Sequence, residues 1–190
     1  MRIIGRRAVA GEVFERAGIV VVPTAGLKPE YTLSSEARIT KTWAEERVSL
    51  TFGAFYTFIQ DAIVQRESTL AGQDSILYEG QLAQVAINQN EDEAYIKGYN
   101  IAFKWQPDKY WTFTATATQT LGRVLDRDEP LSHIPPFFAK ADLGYEQEKW
   151  SVGVYALYND TKLSRETGPG RTDNADQGIN GAFPSWQTYH

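Results

Sequence analysis

The side chains able to do chemistry in this 190-residue chain are scattered, and few are grouped as a reaction would need. Asp173-Asn174-Ala175-Asp176-Gln177-Gly178 is superficially like a calcium loop. An EF-hand needs oxygen ligands at its first, third and fifth places between two helices, and here Ala175 holds the third, so an ordinary polar connection is the better reading. Glu91-Asp92-Glu93 and Asp126-Arg127-Asp128-Glu129 read as solvated loop charge. His133, one of two histidines, stands beside Ile134-Pro135-Pro136 with no serine or carboxylate at the spacing of a triad. Asn159-Asp160-Thr161 matches a glycosylation sequon, and Gly168-Pro169-Gly170 is turn punctuation lacking the Lys-Ser/Thr of a phosphate loop. The absence of cysteine removes disulfides, thiolate zinc sites and thiol nucleophiles together. No catalytic residue, metal ligand or cofactor is therefore assigned, and the chain is not expected to be an enzyme. Lys104, Lys140 and Asp142 are the charges to follow, because they sit inside strongly alternating segments.

Those segments have period two, the signature of strands with two unlike faces. Between 110 and 122, Thr112, Thr114, Thr116, Thr118 and Thr120 fall on one face, with Trp111, Phe113, Ala115, Ala117 and Leu121 on the other. Tyr99, Ile101, Phe103 and Trp105 share a face opposite Gly98, Asn100, Ala102 and Lys104, and Gln106-Pro107-Asp108-Lys109 supplies turn chemistry between the two strands. Similar hairpins join 31–42 to 48–60 and 137–145 to 150–158. With a last segment at 183–190 the count is seven strands, an odd number not expected of a complete bacterial barrel. Residues 1–29, arginine-rich and punctuated by glycine, read as a poorly defined lead-in.

The connections alternate between short turns and long polar stretches at 61–93, 122–136 and 159–182. Trp43, Trp105, Tyr110, Trp111, Tyr145 and Trp150 flank the three short turns and so lie at one level of an up-and-down sheet. That is the layout of an outer-membrane barrel, with an aromatic girdle where hydrocarbon meets headgroup. Aromatic residues also cover hairpin turns in soluble sheets. A soluble β-sandwich, a lipocalin-like barrel, a carbohydrate-binding module and a small complete outer-membrane barrel thus remain open on periodicity alone. The net charge of −5 removes the basic footprint of a nucleic-acid binder. The longest apolar run, 17–22, stops at Pro23, far short of a spanning helix, and no signal-peptide core follows Arg2, Arg6 and Arg7.

Five ordered stretches carry a resemblance. Leu27-Lys28-Pro29-Glu30 with Ser35-Glu36, Phe52-Gly53-Ala54-Phe55-Tyr56 with Asp61-Ala62-Ile63, and Asn90 with Ala94, Ile96 and Gly98 are the first three. Ile134-Pro135-Pro136, and Asp173…Asp176 leading to 183–189, complete the series. Together they resemble the C-terminal barrel of TonB-dependent outer-membrane receptors. Tyr99 and Asn100 depart from the family pattern, which places an acidic residue just after the glycine. The resemblance implies an all-β, antiparallel up-and-down meander over 30–190, an incomplete segment of a barrel of about 22 strands. It implies a bacterial outer-membrane location and import of a scarce nutrient, with ferric siderophores as the leading ligand and vitamin B12, saccharides or other metal chelates as alternatives. The implied partners are membrane lipid and lipopolysaccharide, to which acidic loops could bridge through divalent cations. A plug and further barrel strands that this chain does not contain, and the TonB complex acting through that plug, complete the set.

Overall fold

The structure is a computed structural model that describes residues 3–6, 14–16, 18–169, 173 and 175–190. Of the positions singled out above, Arg2, Arg7, Gly170 and Asn174 lie outside the described residues, as do the side chains of Arg6, Asp92 and Asp176.

The described residues form twelve strands and two single 3-10 turns. The strands are β1 (Ile3–Arg6), β2 (Phe14–Arg16), β3 (Ile19–Val22), β4 (Glu30–Trp43), β5 (Val48–Glu67) and β6 (Ser75–Tyr78), then β7 (Gln81–Trp105), β8 (Trp111–Val124), β9 (Glu129–Pro130), β10 (Phe138–Glu146), β11 (Ser151–Asn159) and β12 (Trp186–Tyr189). All belong to one open sheet, whose main path runs β1-β4-β5-β7-β8-β10-β11-β12. From β4 to β12 this is the antiparallel meander of seven strands that the alternation predicts. A soluble sandwich would need a second sheet over the apolar face, and no strand is available to make one among the described residues.

Three features differ from the sequence-based expectation. The stretch 61–93 is mostly strand, because β5 and β7 continue pairing from Ala62↔Glu91 to Glu67↔Ala86. A backbone ladder needs no continuous apolar face, so it persists where buried Ala62, Val85 and Ala86 are interspersed with polar and charged residues and the alternation has faded. Within the sequence 1–29, β1 pairs with β4 and β3 runs parallel to β7, the one parallel pairing among the described residues. The last strand is confined to β12, shorter than 183–190.

The register assigns every side chain of the meander to a face. One face carries Ile39, Phe52, Ile101 and Ala117 in a single row, with Leu50, Phe103, Ala115, Ala141 and Ala156 in the next. The other carries Ser34 against Thr57 and Thr40 against Thr51, each hydroxyl pair 2.9 Å apart, together with the threonine series of β8. On the apolar face β5 carries its apolar side chains from Val48 to Phe58, about 34 Å along the strand and about 24 Å along the normal at a ~45° tilt. That matches the apolar band of a membrane barrel, about 25 Å tall.

Candidate functional site: a two-faced wall and an ion-paired mouth

The short turns set one rim. Asp108 Oδ1 accepts from the amides of Tyr110 and Trp111 at 2.8 and 3.0 Å, closing the β7–β8 turn as its sequence predicts. The Tyr145 ring then lies 4.7 Å from Trp111 and 5.3 Å from Trp150, and the rows above bring in Trp43 and Trp105. Trp43, Trp105, Trp111 and Trp150 are all exposed at this level, as a girdle requires.

On the polar face, the row Ser49, Lys104, Thr114, Asp142 and Tyr155 crosses five strands. Lys140 Nζ lies 2.8 Å from Asp142 and 5.5 Å from the centre of the Tyr155 ring, and the Thr114 hydroxyl donates to Asp142 at 3.4 Å. Lys140 and Asp142 are thus brought together, while Lys104 stands across Thr114 from them. Gly98 is required on this face: a Cβ there would lie 2.2 Å from the Gln119 carbonyl oxygen and 2.8 Å from the Phe55 ring.

Opposite the short turns, the long connections fold back over the polar face and form a mouth. Leu131 packs on Ile59, Ala62, Ala94 and Val124, and a Cβ on Gly122 would meet Ile134 at 2.7 Å. The connection containing Ile134-Pro135-Pro136 is therefore seated against the sheet.

Two ion-paired clusters hold the mouth, both on strand extensions and loops beyond the apolar band. In the first, Arg66 of β5, 8% exposed, donates through Nε to Glu91 of β7 at 2.9 Å and through Nη1 to Glu129 of β9. Glu91, 6% exposed, also accepts from Gln89 at 3.0 Å and lies 3.7 Å from Arg127. Burial pushes the Glu91 carboxyl up, but the Gln89 and Arg66 hydrogen bonds and the two arginine charges outweigh it and hold the group below its ordinary value. Glu91, read as solvated loop charge, is therefore buried in an ion-paired network, a correction for that residue, while Glu129, with its side chain 37% exposed, pairs with Arg66 at the edge of that network.

In the second cluster Asp173 Oδ1 accepts from the His133 amide at 2.6 Å. Its Oδ2 accepts from the Gly168 amide at 2.7 Å and lies 3.1 Å from Lys162 Nζ. The Asp173 side chain is 4% exposed and that of Lys162 10%. Burial raises this carboxyl as well, but the two amides and the lysine overcome it and leave the group below the usual aspartate range. Both carboxylate oxygens, the first of the calcium-like loop, are occupied by protein donors that staple 133 to 162–173. Arg66 and Lys162 are the residues that sequence reasoning missed. A lone cation in a polar stretch carries no signal until pairing shows what lies beside it.

A wall of amphipathic strands with one aromatic rim and inward-folded loops at the other defines a segment of a transmembrane β-barrel. The family described as TonB dependent receptor-like, beta-barrel matches residues 6–190, and the chain belongs to it. No curated protein matches the chain in sequence. Among solved structures it is similar to the copper transporter OprC at 16% identity and TM-score 0.63, covering 86% of this chain and 22% of that one. It is also similar to the siderophore receptor PirA from Acinetobacter baumannii, at 18% identity and TM-score 0.62 over 90% of this chain and 26% of that one. A third similar structure is the ferric-catecholate import receptor Fiu from K12 E. coli, at 16% identity and TM-score 0.59 over 98% and 24%. The chain thus spans about a quarter of the length of these structures. The family is one of outer-membrane receptors and transporters that work with TonB and a ligand.

Proposed function

We propose that this chain is wall and mouth of a TonB-dependent transporter of the bacterial outer membrane, importing a metal chelate, with a ferric siderophore as the first candidate. The observation that carries the reading is the segregation of the sheet into an uncovered apolar face and a hydroxyl-rich face, with the long connections folded onto the second. Apolar surface of that extent on a soluble monomer would be an association hazard; in a bilayer it is the solvent contact. The barrel unit is 30–190, continuous from β4 to β12, with the polar face turned to a plug and the girdle toward the periplasm. OprC and PirA support a metal-linked cargo through their own descriptions, as a copper transporter and a siderophore receptor.

The test is accumulation of radioiron, presented as catecholate and hydroxamate chelates, in iron-starved cells with and without the gene, in strains with and without TonB. The reading predicts a gene-dependent, TonB-dependent uptake of at least one chelate. Uptake of every chelate that ignores both deletions would overturn it.

A further inference from the structure

The edge of β8 beyond its last pair with β10, Thr118↔Phe138, is left without a strand as far as Gly122. Continuing that register would set Pro136 opposite Thr120, and a proline has no amide hydrogen to give the ladder. Gly122 accepts from the Leu131 amide at 3.0 Å on this edge. Residues two apart on a strand turn their backbone groups to the same edge, so Thr120 faces the same way. Gln119 caps the Thr120 carbonyl through Nε2 at 3.2 Å, and the Thr120 amide meets no backbone acceptor there among the described residues. The break in the ladder is a notch of about 200 Å³, closed on its far side by residues 160–166. The Asp160 amide ties that side to the Phe137 carbonyl at 2.9 Å.

The charges lining the notch are not all matched. Asp160 accepts from the Tyr158 hydroxyl at 3.1 Å and the Thr161 amide at 2.7 Å, and Glu166 accepts from the Leu163 amide at 2.9 Å. Lys162 is paired with Asp173 and Arg123 with Asp128. Arg165 lines the same notch from its exposed side and has no acceptor among the described residues. Its guanidinium is a planar fork of donors that fits a carboxylate through two parallel bonds. Ile134, Pro135 and Pro136 make the neighbouring wall, rigid and apolar. An open amide, an unmatched guanidinium and a short apolar wall are the complement of a small organic acid that carries a second acceptor oxygen. A volume of about 200 Å³ is below the ~300–1,000 Å³ of sites for drug-sized ligands, so a whole metal chelate exceeds it.

We propose that the notch binds a small hydroxy or oxo carboxylic acid, separate from any imported cargo. The carboxylate sits on Arg165, the second oxygen accepts from the Thr120 amide, and the short carbon chain lies against Ile134, Pro135 and Pro136. An acid seated there touches the 130–137 connection on one side and 160–166 on the other, the same two connections that the Asp173 staple joins. A ligand that binds only the closed arrangement stabilises it by mass action, so occupancy of the notch sets how readily these connections part.

The experiment uses the protein extracted from outer membranes in detergent and follows hydrogen exchange of the amides of 160–166 as lactate, 3-hydroxybutyrate or 4-oxopentanoate is added. Butyrate, which lacks the second oxygen, and 3-hydroxybutyramide, which lacks the charge, are the controls. At least one of the three acids should slow exchange about tenfold at ten times its Kd, the factor that binding to the closed form alone dictates. Arg165→Gln removes a hydrogen-bonded charge and should weaken that acid by about tenfold or more. Its heat-modifiable electrophoretic mobility should be unchanged, the check that the barrel is folded. Exchange unmoved by all three acids, equal protection by either control, or an affinity unchanged in Arg165→Gln overturns the proposal. Displacement of the acid by an iron chelate that the cells accumulate would make the notch part of the cargo site and overturn it as well.

Discussion

Asp173→Ala isolates what the second ion-paired cluster does. The substitution removes the acceptor of the His133 and Gly168 amides and the counter-charge of Lys162 in one step. Removing one partner of a buried pair costs about 3–5 kcal/mol, and the hydrogen bonds are part of that figure because the same carboxylate makes them all. The loops can relax toward water, so the lower end applies, and about 3 kcal/mol corresponds to a ~150-fold rise in local opening. The opening is confined to 131–137 and 160–173, since the ladders of β8, β10 and β11 do not depend on it.

Hydrogen exchange of the His133 and Gly168 amides reads the effect directly, and tryptic cleavage after Lys162 or Arg165 reads it independently. The double variant Asp173→Leu/Lys162→Met removes the unpaired lysine charge but leaves the His133 and Gly168 amides without their acceptor, so it should recover only part of the protection. The pH response has a fixed sign. A carboxyl whose folded pKa lies below its unfolded value of about 3.8 contributes its full stabilisation above that value, and loses it as pH falls through the folded pKa. Opening at the wild-type amides, read as protection after correction for the pH dependence of intrinsic exchange, should therefore be held down at neutral pH and rise only below about pH 4, while the alanine variant is opened throughout. A rise under fivefold in Asp173→Ala would refute the staple.

Gly168→Ala attacks the same contact from the other side: its Cβ would lie 2.5 Å from the Ser132 amide nitrogen and 2.6 Å from its Cα, so the two loops must separate. Cleavage after Arg165 should then become fast at neutral pH, and an unchanged cleavage rate would contradict the close approach. Glu91→Gln leaves Arg66 buried with Glu129 as its remaining charge partner, a loss of about 2 kcal/mol that exposes the amides of 62–67 to exchange about thirtyfold faster; exchange confined to the loop tip would show the strand extension to be independent of the pair. Phe52→Arg places a charge at mid-band on the apolar face, where it costs about 2–4 kcal/mol and should cut the yield of heat-modifiable folded barrel, whereas Thr51→Arg, one residue away on the polar face, should leave that yield intact. Equal yields from the two variants would mean that the faces are wrongly assigned.

How far the fold was legible depended on the solvent around each stretch. In the membrane band the two faces see hydrocarbon and water, so residues are sorted every second position, and the threonines of β8 and the aromatics of β7 declared strand and face without any structure. Beyond the band that contrast disappears. Arg66, Gln89 and Glu91 sit in regular ladder with no alternation to mark it, and 61–93 therefore read as a loop. The turn at 106–109 was legible because Asp108 acts on its own neighbours, a local event, whereas Asp173 acts on residues 5 and 40 positions away.

Wall and mouth are stabilised by different terms, and this separates the consequences of changing them. The wall rests on a backbone ladder and an apolar face, and its polar side is tied by hydroxyl pairs and the exposed Lys140–Asp142 contact. The mouth rests on two clusters of buried charge whose members come from different connections: β5, β7 and β9 for Arg66, Glu91 and Glu129, and the 125–137 and 160–185 stretches for the Asp173 staple. Opening the Asp173 cluster therefore frees loops without unpairing a strand, and opening the Arg66 cluster unpairs only the strand extension beyond the band, so motion at the mouth can be varied by single substitutions while the wall continues to assemble. A transporter whose ligand-contacting loops must be specific, and whose wall must stay closed to hydrocarbon, requires that division of forces.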